Sequence, residues 1–182
     1  DELLELMVLE AQMLELKANP NKRARGVVIE SEISRGMGPV AWVLVQNGTL
    51  KVGDVFLCGT AYGRVRTMTN ARGEQVEIAK PSTPVVVTGF NVLPDAGDVF
   101  ITAQDERIAR SIAEKRATLS RQKLGAAGKH MSLEDFHERM MAGEKKTLNI
   151  IIKADVQGSA DVLRSSLAKL GNQEVSVDIV HT

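Results

Sequence analysis

The sequence predicts an α+β chain of more than one domain: an antiparallel β-barrel, then a basic linker helix, then an incomplete α/β/α layered domain with parallel strands. Residues 25–104 alternate strand patterns with turn signals and contain no helical stretch. Residues 105–124 carry apolar residues at helical spacing among many lysines and arginines. Residues 148–179 follow a strand, helix, strand order, which predicts two parallel strands joined by a right-handed crossover.

An amphipathic helix is predicted at the start of the chain, within residues 1–19. Its apolar residues recur at helical spacing, and glutamates lie between them. They are Leu3, Leu4, Met7, Val8, Ala11 and Leu14. Asn19-Pro20 predicts the end of the helix. The apolar stripe needs a partner, either the domain that follows or one that precedes it, and the acidic face is expected to contact solvent.

Residues 20–104 form the predicted barrel, which is organised around one stretch of strand and turn. The apolar run Val43-Leu44-Val45 predicts a strand, and Asn47-Gly48 predicts the tight turn of a hairpin because both residues tolerate positive φ angles. Further turns are predicted at residues 70–73, 81–84 and 94–98. Many short strands without helices favour a closed barrel, because closure removes exposed strand edges.

Residues 105–128 are predicted to connect the two folded parts of the chain. A basic helix is expected to run to about Leu124, and Gly125-Ala126-Ala127-Gly128 predicts a flexible joint after it. The basic face is interpreted as that of a solvated connector or, alternatively, as a surface that faces RNA.

The last part of the chain, residues 129–182, is predicted to be the layered domain. Ser132-Leu133-Glu134-Asp135 has the form of a capping box for a short helix. The apolar run from Leu148 to Ile152 is typical of a strand that is covered on both faces. A helix is predicted to start at Gly158-Ser159, and alternating apolar residues predict the next strand at residues 175–179.

Composition excludes several classes of protein. The 182 residues carry 23 Lys and Arg against 23 Asp and Glu, so no overall charge attracts the chain to nucleic acid or to a membrane. No apolar run approaches the roughly 20 residues of a membrane span. Cys58 is the single cysteine, which excludes an internal disulfide, favours a reducing compartment and is expected to be buried. We expect a cytoplasmic monomer without membrane contact and, because the chain begins without Met inside a helical pattern, a piece of a longer protein.

No catalytic residue, cofactor or metal site is predicted. The three histidines lie on different predicted elements, without a second ligand at metal-binding spacing. The Gly-Lys-Ser/Thr loop that cradles nucleotide phosphates is absent. Gly158 and Ser159 start a helix directly after a strand and are candidates for accepting an anion, although capping of the helix explains them equally well.

Contact with the phosphates of a polyanion is the activity that the charged residues favour. The candidate contacts are Arg23, Arg25, Arg35, Lys51, Arg64, Arg66 and Arg72, and Lys22 belongs to the same cluster as Arg23 and Arg25. Arg64 and Arg66 are two residues apart, so both would project from the same face of a strand. Cations on loops of a rigid barrel can hold phosphates, but they also simply keep a barrel soluble. A chain with one Trp and one Tyr offers no platform for stacking bases.

A series of motifs follows in order along nearly the whole chain. They are Leu9 to Gln12, Leu14 to Pro20, Gly38 to Ala41, Val45 to Leu50, Gly53-Asp54, Gly59 to Arg66, Pro81 to Val85 and Leu148 to Ser159. Together they closely resemble the bacterial translation initiation factor two family. The resemblance implies four parts: the last helix of a GTP-binding domain, a translation-factor-type second-domain barrel, a connector, and the first part of a third domain. These parts are residues 1–19, 20–104, 105–128 and 129–182.

The resemblance implies a role without catalysis for this chain. The family is a GTPase that brings initiator tRNA to the small ribosomal subunit and promotes joining of the large subunit. GTP and Mg²⁺ would bind in the GTP-binding domain, outside this chain, so no cofactor is expected here. The barrel would dock on the small subunit and its ribosomal RNA, and the third domain would relay the nucleotide state. A source in the matrix or stroma of an organelle is also compatible with the family.

Three alternatives remain open at this point. A barrel fragment of another translation GTPase, of the elongation factor type, would share only the barrel, and Asp155-Val156-Gln157-Gly158-Ser159 argues against it. A small enzyme would use the Gly158-Ser159 helix start as a phosphate site and would need an acid, a base or a metal beside it. A structural spacer would bind no RNA.

Overall fold

The computed structural model describes residues 2–127, 146–172 and 175–181, and the structural statements below concern these residues. The helices are α1 (Glu2–Met13), α2 (Glu106–Ala127) and α3 (Gln157–Leu167). The strands before α2 are β1 (Arg25–Ser34), β2 (Gly38–Asn47), β3 (Leu50–Lys51), β4 (Val55–Cys58), β5 (Ala61–Arg64), β6 (Met68–Asn70), β7 (Ile78–Ala79), β8 (Pro84–Thr88) and β9 (Val99–Ala103). After α2 come β10 (Lys146–Ile151) and β11 (Val175–His181). The predicted capping box at Ser132 lies outside the described residues.

Seven of the strands form one antiparallel sheet that curls into a barrel. Their order is β5-β4-β9-β1-β2-β8-β6. The sheet closes where β5 meets the chain that leaves β8, because Gly63 bridges Phe90 and the Asn91 N–H donates to the Tyr62 carbonyl at 3.0 Å. This closure gives the strand edges partners and confirms the predicted antiparallel, barrel-like architecture.

The core of the barrel is built from alternate residues of its strands. Phe56 and Phe100 lie with ring centroids 4.8 Å apart, and Phe56 lies 4.5 Å from Phe90. Around these rings pack buried residues that include Val28, Val43, Val45, Leu50, Met68, Val85 and Val87. Fully burying a side chain of this size stabilises a fold by roughly 1.5–3 kcal/mol. The core therefore makes the barrel a rigid support for its loops.

The prediction of a hairpin at Asn47-Gly48 is wrong. Gly48 does adopt a positive φ of 72°, but β3 then pairs with β7, through Leu50 opposite Ala79, rather than with β2. The polar groups at the turn bind residue 19 instead: the Asn19 N–H donates to Asn47 Oδ1 at 3.0 Å, and the Gly48 N–H donates to the Asn19 carbonyl at 3.0 Å. Contacts with a distant segment therefore override the local hairpin signal.

The long hairpin of the barrel lies one turn earlier in the chain. Strands β1 and β2 pair from Arg25 opposite Asn47 to Ser34 opposite Gly38. Arg35 lies in the turn between them and is exposed.

The first helix is shorter than predicted. It ends at Met13, and Glu15 then adopts a positive φ of 43°, which is incompatible with continuing the helix to Asn19. All of its residues are exposed, so its apolar stripe finds no cover within the described part of the chain.

Helix α2 packs only one narrow face on the barrel. Of the apolar stripe that the sequence predicts, Ala109 is buried, but Ile108, Ile112 and Leu119 are exposed. Ala109 and Ala113 are buried against Val55 and Leu57. The helix continues to Ala127, where the sequence predicts a joint from Gly125 onward. Alanine has the highest helix propensity, so two alanines extend the helix past the glycine.

The segment after α2 forms a small unit of β10, α3 and β11, called here the α/β unit. Its two strands are parallel, with Leu148 opposite Val177, as predicted. Leu148 and Ile151 are 54% and 63% exposed, so the predicted cover on both faces of β10 is not found within the described residues. Ile152 and Ala160 are buried.

Candidate phosphate-binding cleft

Four basic side chains surround a cleft at one end of the barrel. The cleft has a volume of about 660 Å³, and its cations are Lys22, Arg23, Lys51 and Lys80. This cleft is called here the basic cleft. All four residues are exposed, and Asp54 is the one carboxylate among the lining residues that the structure describes. The local charge is therefore strongly positive although the whole chain is neutral.

One wall of the basic cleft is the segment that leads into β1. The Thr49 hydroxyl donates to the Pro20 carbonyl at 2.8 Å, and the Thr49 N–H donates to the Lys22 carbonyl at 3.3 Å. Gly48 is buried directly beneath this segment, where a Cβ would overlap the carbonyl group of Arg23. The backbone that carries Lys22 and Arg23 is thereby held against the turn at residues 47–49.

The other wall is the short pair of β3 and β7. Leu50 is completely buried and anchors β3, while Lys51 next to it is exposed. Asp54 Oδ2 accepts a hydrogen bond of 2.9 Å from the Lys51 N–H, so this carboxylate stabilises the turn after β3. Lys80 follows β7 directly. The pairing of β3 with β7 thus brings two lysines together that are 29 positions apart.

The basic cleft is suited to binding phosphate groups. Lysine and arginine side chains on a fixed backbone bind phosphate oxygens by charge-assisted hydrogen bonds. Their contribution to binding a nucleic acid falls as salt rises, because counterions are released. In the part of the chain that the structure describes, no group of three His, Cys, Asp or Glu side chains could hold a metal ion. Four exposed cations beside one carboxylate favour contact with an anion.

The structure brings only two of the predicted phosphate contacts into this cleft, Arg23 and Lys51. The cleft also includes Lys22, which the sequence places in one cluster with Arg23 and Arg25, and it adds Lys80, which is not among the predicted contacts. Lys80 could not be found from the sequence, because its place in the cleft results from the pairing of β3 with β7 and not from a local pattern.

The other predicted contacts are not among the residues that line the basic cleft. Arg25 is exposed at the start of β1, and Arg66 is exposed just after β5. Arg72 lies in the predicted turn at residues 70–73, where its N–H donates to Asn70 Oδ1 at 2.9 Å. Arg35 lies beyond the other end of β1, a distance of about 30 Å along a ten-residue strand.

Arg64 has an internal role that the sequence did not reveal. Its guanidinium contacts the Glu106 carboxylate at 3.1 Å and donates to the Gly53 carbonyl at 3.1 Å. Glu106 is the first residue of α2, so the pair ties this helix to the barrel. An exposed ion pair of this kind stabilises by about 0–1 kcal/mol. The Arg64 side chain is therefore partly committed to contacts within the chain.

The predicted anion-accepting helix start, Gly158 and Ser159, already has an anion beside it. The Gly158 N–H donates to Glu30 Oε1 at 3.0 Å. The carboxylate belongs to β1 of the barrel, which the sequence analysis did not connect with this helix. A carboxylate of the chain itself therefore lies where the sequence predicted either an anion or a cap.

Cys58 is completely buried in the barrel core, as predicted. Burial, followed by the Asp98 and Asp95 carboxylates, raises the pKa of its thiol from 9.0 to about 12, against a smaller opposing effect of Arg116. We expect the thiol to resist a disulfide reagent at pH 8 until the chain is unfolded by denaturant. Reaction within minutes in the folded chain would contradict this packing.

The same shift predicts a loss of stability in alkaline solution. Below pH 9 both the folded and the unfolded chain keep the thiol proton, so its contribution is constant. Between about pH 9 and 12 the unfolded chain loses the proton first, and stability falls. A comparison of denaturant unfolding from pH 8 to 10.5 between the parent chain and Cys58→Ala should show a steeper decline for the parent chain.

No helix among the described residues is both long and apolar enough to cross a membrane.

Two family models match the chain. One is described as Elongation factor G domain 2 and matches residues 23–103; the other is described as Translation-initiation factor 2 and matches residues 122–182. Curated relatives match from end to end. Translation initiation factor IF-2 of Caldanaerobacter subterraneus subsp. tengcongensis is 49% identical, and that of Moorella thermoacetica is 50% identical, each over 181 residues and 100% of this chain. The chain spans 26% and 20% of the length of these two relatives.

A solved structure shares the fold. The crystal structure of GDP-bound aIF5B from Aeropyrum pernix matches with a TM-score of 0.51 and 22% identity, over 99% of this chain and 30% of that chain. This similarity concerns the fold alone. It extends from the barrel to the parallel strands, in agreement with the predicted fold class.

Proposed function

Because the chain belongs to the family of bacterial translation initiation factor IF-2, a central part of which it matches, we propose that it docks the factor on the small ribosomal subunit. The contact is made by the barrel, through phosphates of the ribosomal RNA. The observation that carries the proposal is the basic cleft, where four exposed cations meet on a backbone that internal hydrogen bonds hold in place.

The family suggests which part of the whole factor carries each role. We propose that residues 20–104 are its second domain and that residues 129–182 begin its third, with 105–128 as connector; the two matched ranges support this division. Binding of GTP with Mg²⁺, catalysis, and delivery of initiator tRNA would belong to parts outside this chain, as would contacts with the large subunit. The segment itself would act without catalysis, in the cytoplasm, and would relay the nucleotide state through its α/β unit.

The proposal is tested by measuring how the 182-residue chain binds purified small ribosomal subunits across a salt series. In the variant Lys51→Ala/Lys80→Ala we expect roughly tenfold weaker binding at about 0.1 M salt, and a salt slope reduced by about two. Each lysine that no longer contacts a phosphate removes about one released counterion, which is why the slope and the affinity change together.

The matched control is Lys115→Ala/Arg121→Ala, which removes the same charge from exposed positions on α2. An equal loss in both variants would show that binding does not depend on the basic cleft in particular, because either net charge or the alternative RNA-facing surface of α2 would then explain it. The variant Arg64→Ala/Arg66→Ala tests the predicted contact at the end of β5. If only this variant bound the subunits more weakly, the RNA contact would lie there and not in the basic cleft. Absence of binding by the parent chain at low salt would favour the structural spacer.

A further inference from the structure

Helix α3 begins without a cap from its own neighbours. The residue at its N-cap position is Val156, which has extended dihedral angles (φ −127°, ψ 151°) and makes no side-chain capping bond. The first N–H groups of a helix have no partner within the helix, and a valine there leaves α3 about 1 kcal/mol less stable than a Ser, Asp or Asn would. The helix start therefore lacks a side-chain acceptor of its own.

Glu30 of the barrel supplies that acceptor across 128 positions of sequence. Its Oε1 atom accepts the Gly158 N–H at 3.0 Å and also the Ser31 N–H of its own strand at 3.1 Å. A carboxylate at this end of a helix also interacts favourably with the helix dipole. The contact is called here the Glu30 cap.

Two features of the barrel orient the carboxylate. The pairing of β1 with β2 shifts register between Val28 and Glu30, and such a bulge redirects the side chains next to it. Ser31 is completely buried, and its hydroxyl donates to the Pro94 carbonyl at 2.6 Å. The Glu30 backbone is thus fixed to the core of the barrel by contacts that do not involve α3.

The lack of a side chain at Gly158 also favours this contact. Its φ is not positive, so its backbone does not require glycine, but a Cβ there would lie 2.8 Å from Glu30 Oε2. A Cβ at this position would displace the end of the flexible Glu30 side chain. Glycine therefore leaves room for the carboxylate at the place where it accepts the Gly158 N–H.

An open cleft and like charges lie around the Glu30 cap. A cleft of about 840 Å³ separates the end of β1 from the α/β unit, with Arg35 on the barrel side and Lys153 on the other. Carboxylates also oppose one another: the pKa of Asp95 is raised, by burial first and then by Asp98 and by Asp161 of α3. The Glu30 cap is therefore a favourable contact at a boundary where carboxylates of the barrel and of α3 repel one another.

We infer that the Glu30 cap is a conformational device that sets the orientation of the α/β unit on the barrel. When the carboxylate is engaged, the first turn of α3 is ordered and the two parts move as one body. When it is withdrawn, the turn frays and the α/β unit reorients about the connector. The inference does not depend on the RNA contact proposed above, since the basic cleft lies at the opposite end of β1 from the turn at Arg35.

The test uses the full chain and two readouts, amide hydrogen exchange in α3 and ¹⁵N relaxation of both parts. For Glu30→Ala we expect exchange at the Gly158 amide to be roughly fivefold faster, which is the population change of a lost cap. The correlation times of barrel and α/β unit should diverge. Glu30→Gln keeps an acceptor without the charge and should give a smaller change in the same direction.

Gly158→Ala provides an independent variant on the other side of the contact. Alanine favours a helix over glycine, so a purely local effect would slow exchange in α3. Displacement of the carboxylate predicts faster exchange instead. The matched control is Glu32→Gln, the same charge change two residues along β1. Unchanged exchange and a common correlation time in Glu30→Ala and Gly158→Ala, or equal loosening in Glu32→Gln, would overturn the inference.

Discussion

Alanine in place of Gly89 is expected to lower the free energy of unfolding by about 3 kcal/mol, because the barrel closes at this residue. Gly89 has a φ of 109°, which a side chain disfavours, and an added Cβ would overlap the Arg64 carbonyl oxygen. The chain opposite has no room to move, since a Cβ on Gly63 would in turn overlap the Gly89 carbonyl oxygen. Two backbones cross here at a separation that only two glycines permit.

The free energies of unfolding of Gly89→Ala and Gly73→Ala, measured in urea, separate the effect of backbone strain from that of the overlap between the new Cβ and the neighbouring chain. Gly73 also has a positive φ, of 81°, but nothing lies within 4 Å of its Cβ position. Its substitution should cost about 1 kcal/mol through backbone strain alone. Equal losses for the two variants would contradict the idea that close approach at Gly89 closes the barrel. A larger loss at Gly89 identifies the closure as the sensitive point of the fold.

The sequence predicted elements well where their signals are local. Alternating apolar residues and turn residues at 70–73 and 94–98 predict strands and turns, and the helical spacing after residue 105 predicts α2. These patterns depend on neighbours within a few positions. The parallel pair of β10 and β11 was also predictable, since a strand, helix, strand order leaves little choice of topology.

What the sequence could not give depends on contacts between distant positions. Asn47-Gly48 has the composition of a hairpin turn, yet its polar groups bind residue 19, and β3 pairs with β7. That pairing decides which cations meet, so Lys80 was missed, while Arg64 was included although it pairs with Glu106. The phosphate-binding hypothesis could be formed from charge alone, but its location required the fold.

The basic cleft therefore depends on a residue without any charge, and Gly48→Ala is expected to weaken RNA binding as much as Lys51→Ala/Lys80→Ala does. Gly48 has a φ of 72°, and a Cβ would overlap the Arg23 carbonyl and lie 2.6 Å from the Lys22 carbonyl oxygen. The segment that carries these two cations would have to move away from Lys51 and Lys80. All four charges remain, so only their arrangement changes.

Binding to small ribosomal subunits at about 0.1 M salt should fall roughly tenfold in Gly48→Ala. The matched control is Gly53→Ala, which lies in the turn next to Lys51 and has a φ of 91° with nothing within 4 Å of its Cβ position. It shares the backbone strain but leaves the wall of residues 19–23 in place, so its binding should stay close to that of the parent chain. Undiminished binding in Gly48→Ala would mean that the cations act independently of their geometry, as a diffuse charge on the barrel surface. A loss in Gly48→Ala alone would show that the fixed wall of residues 19–23 is what turns four exposed cations into a phosphate site.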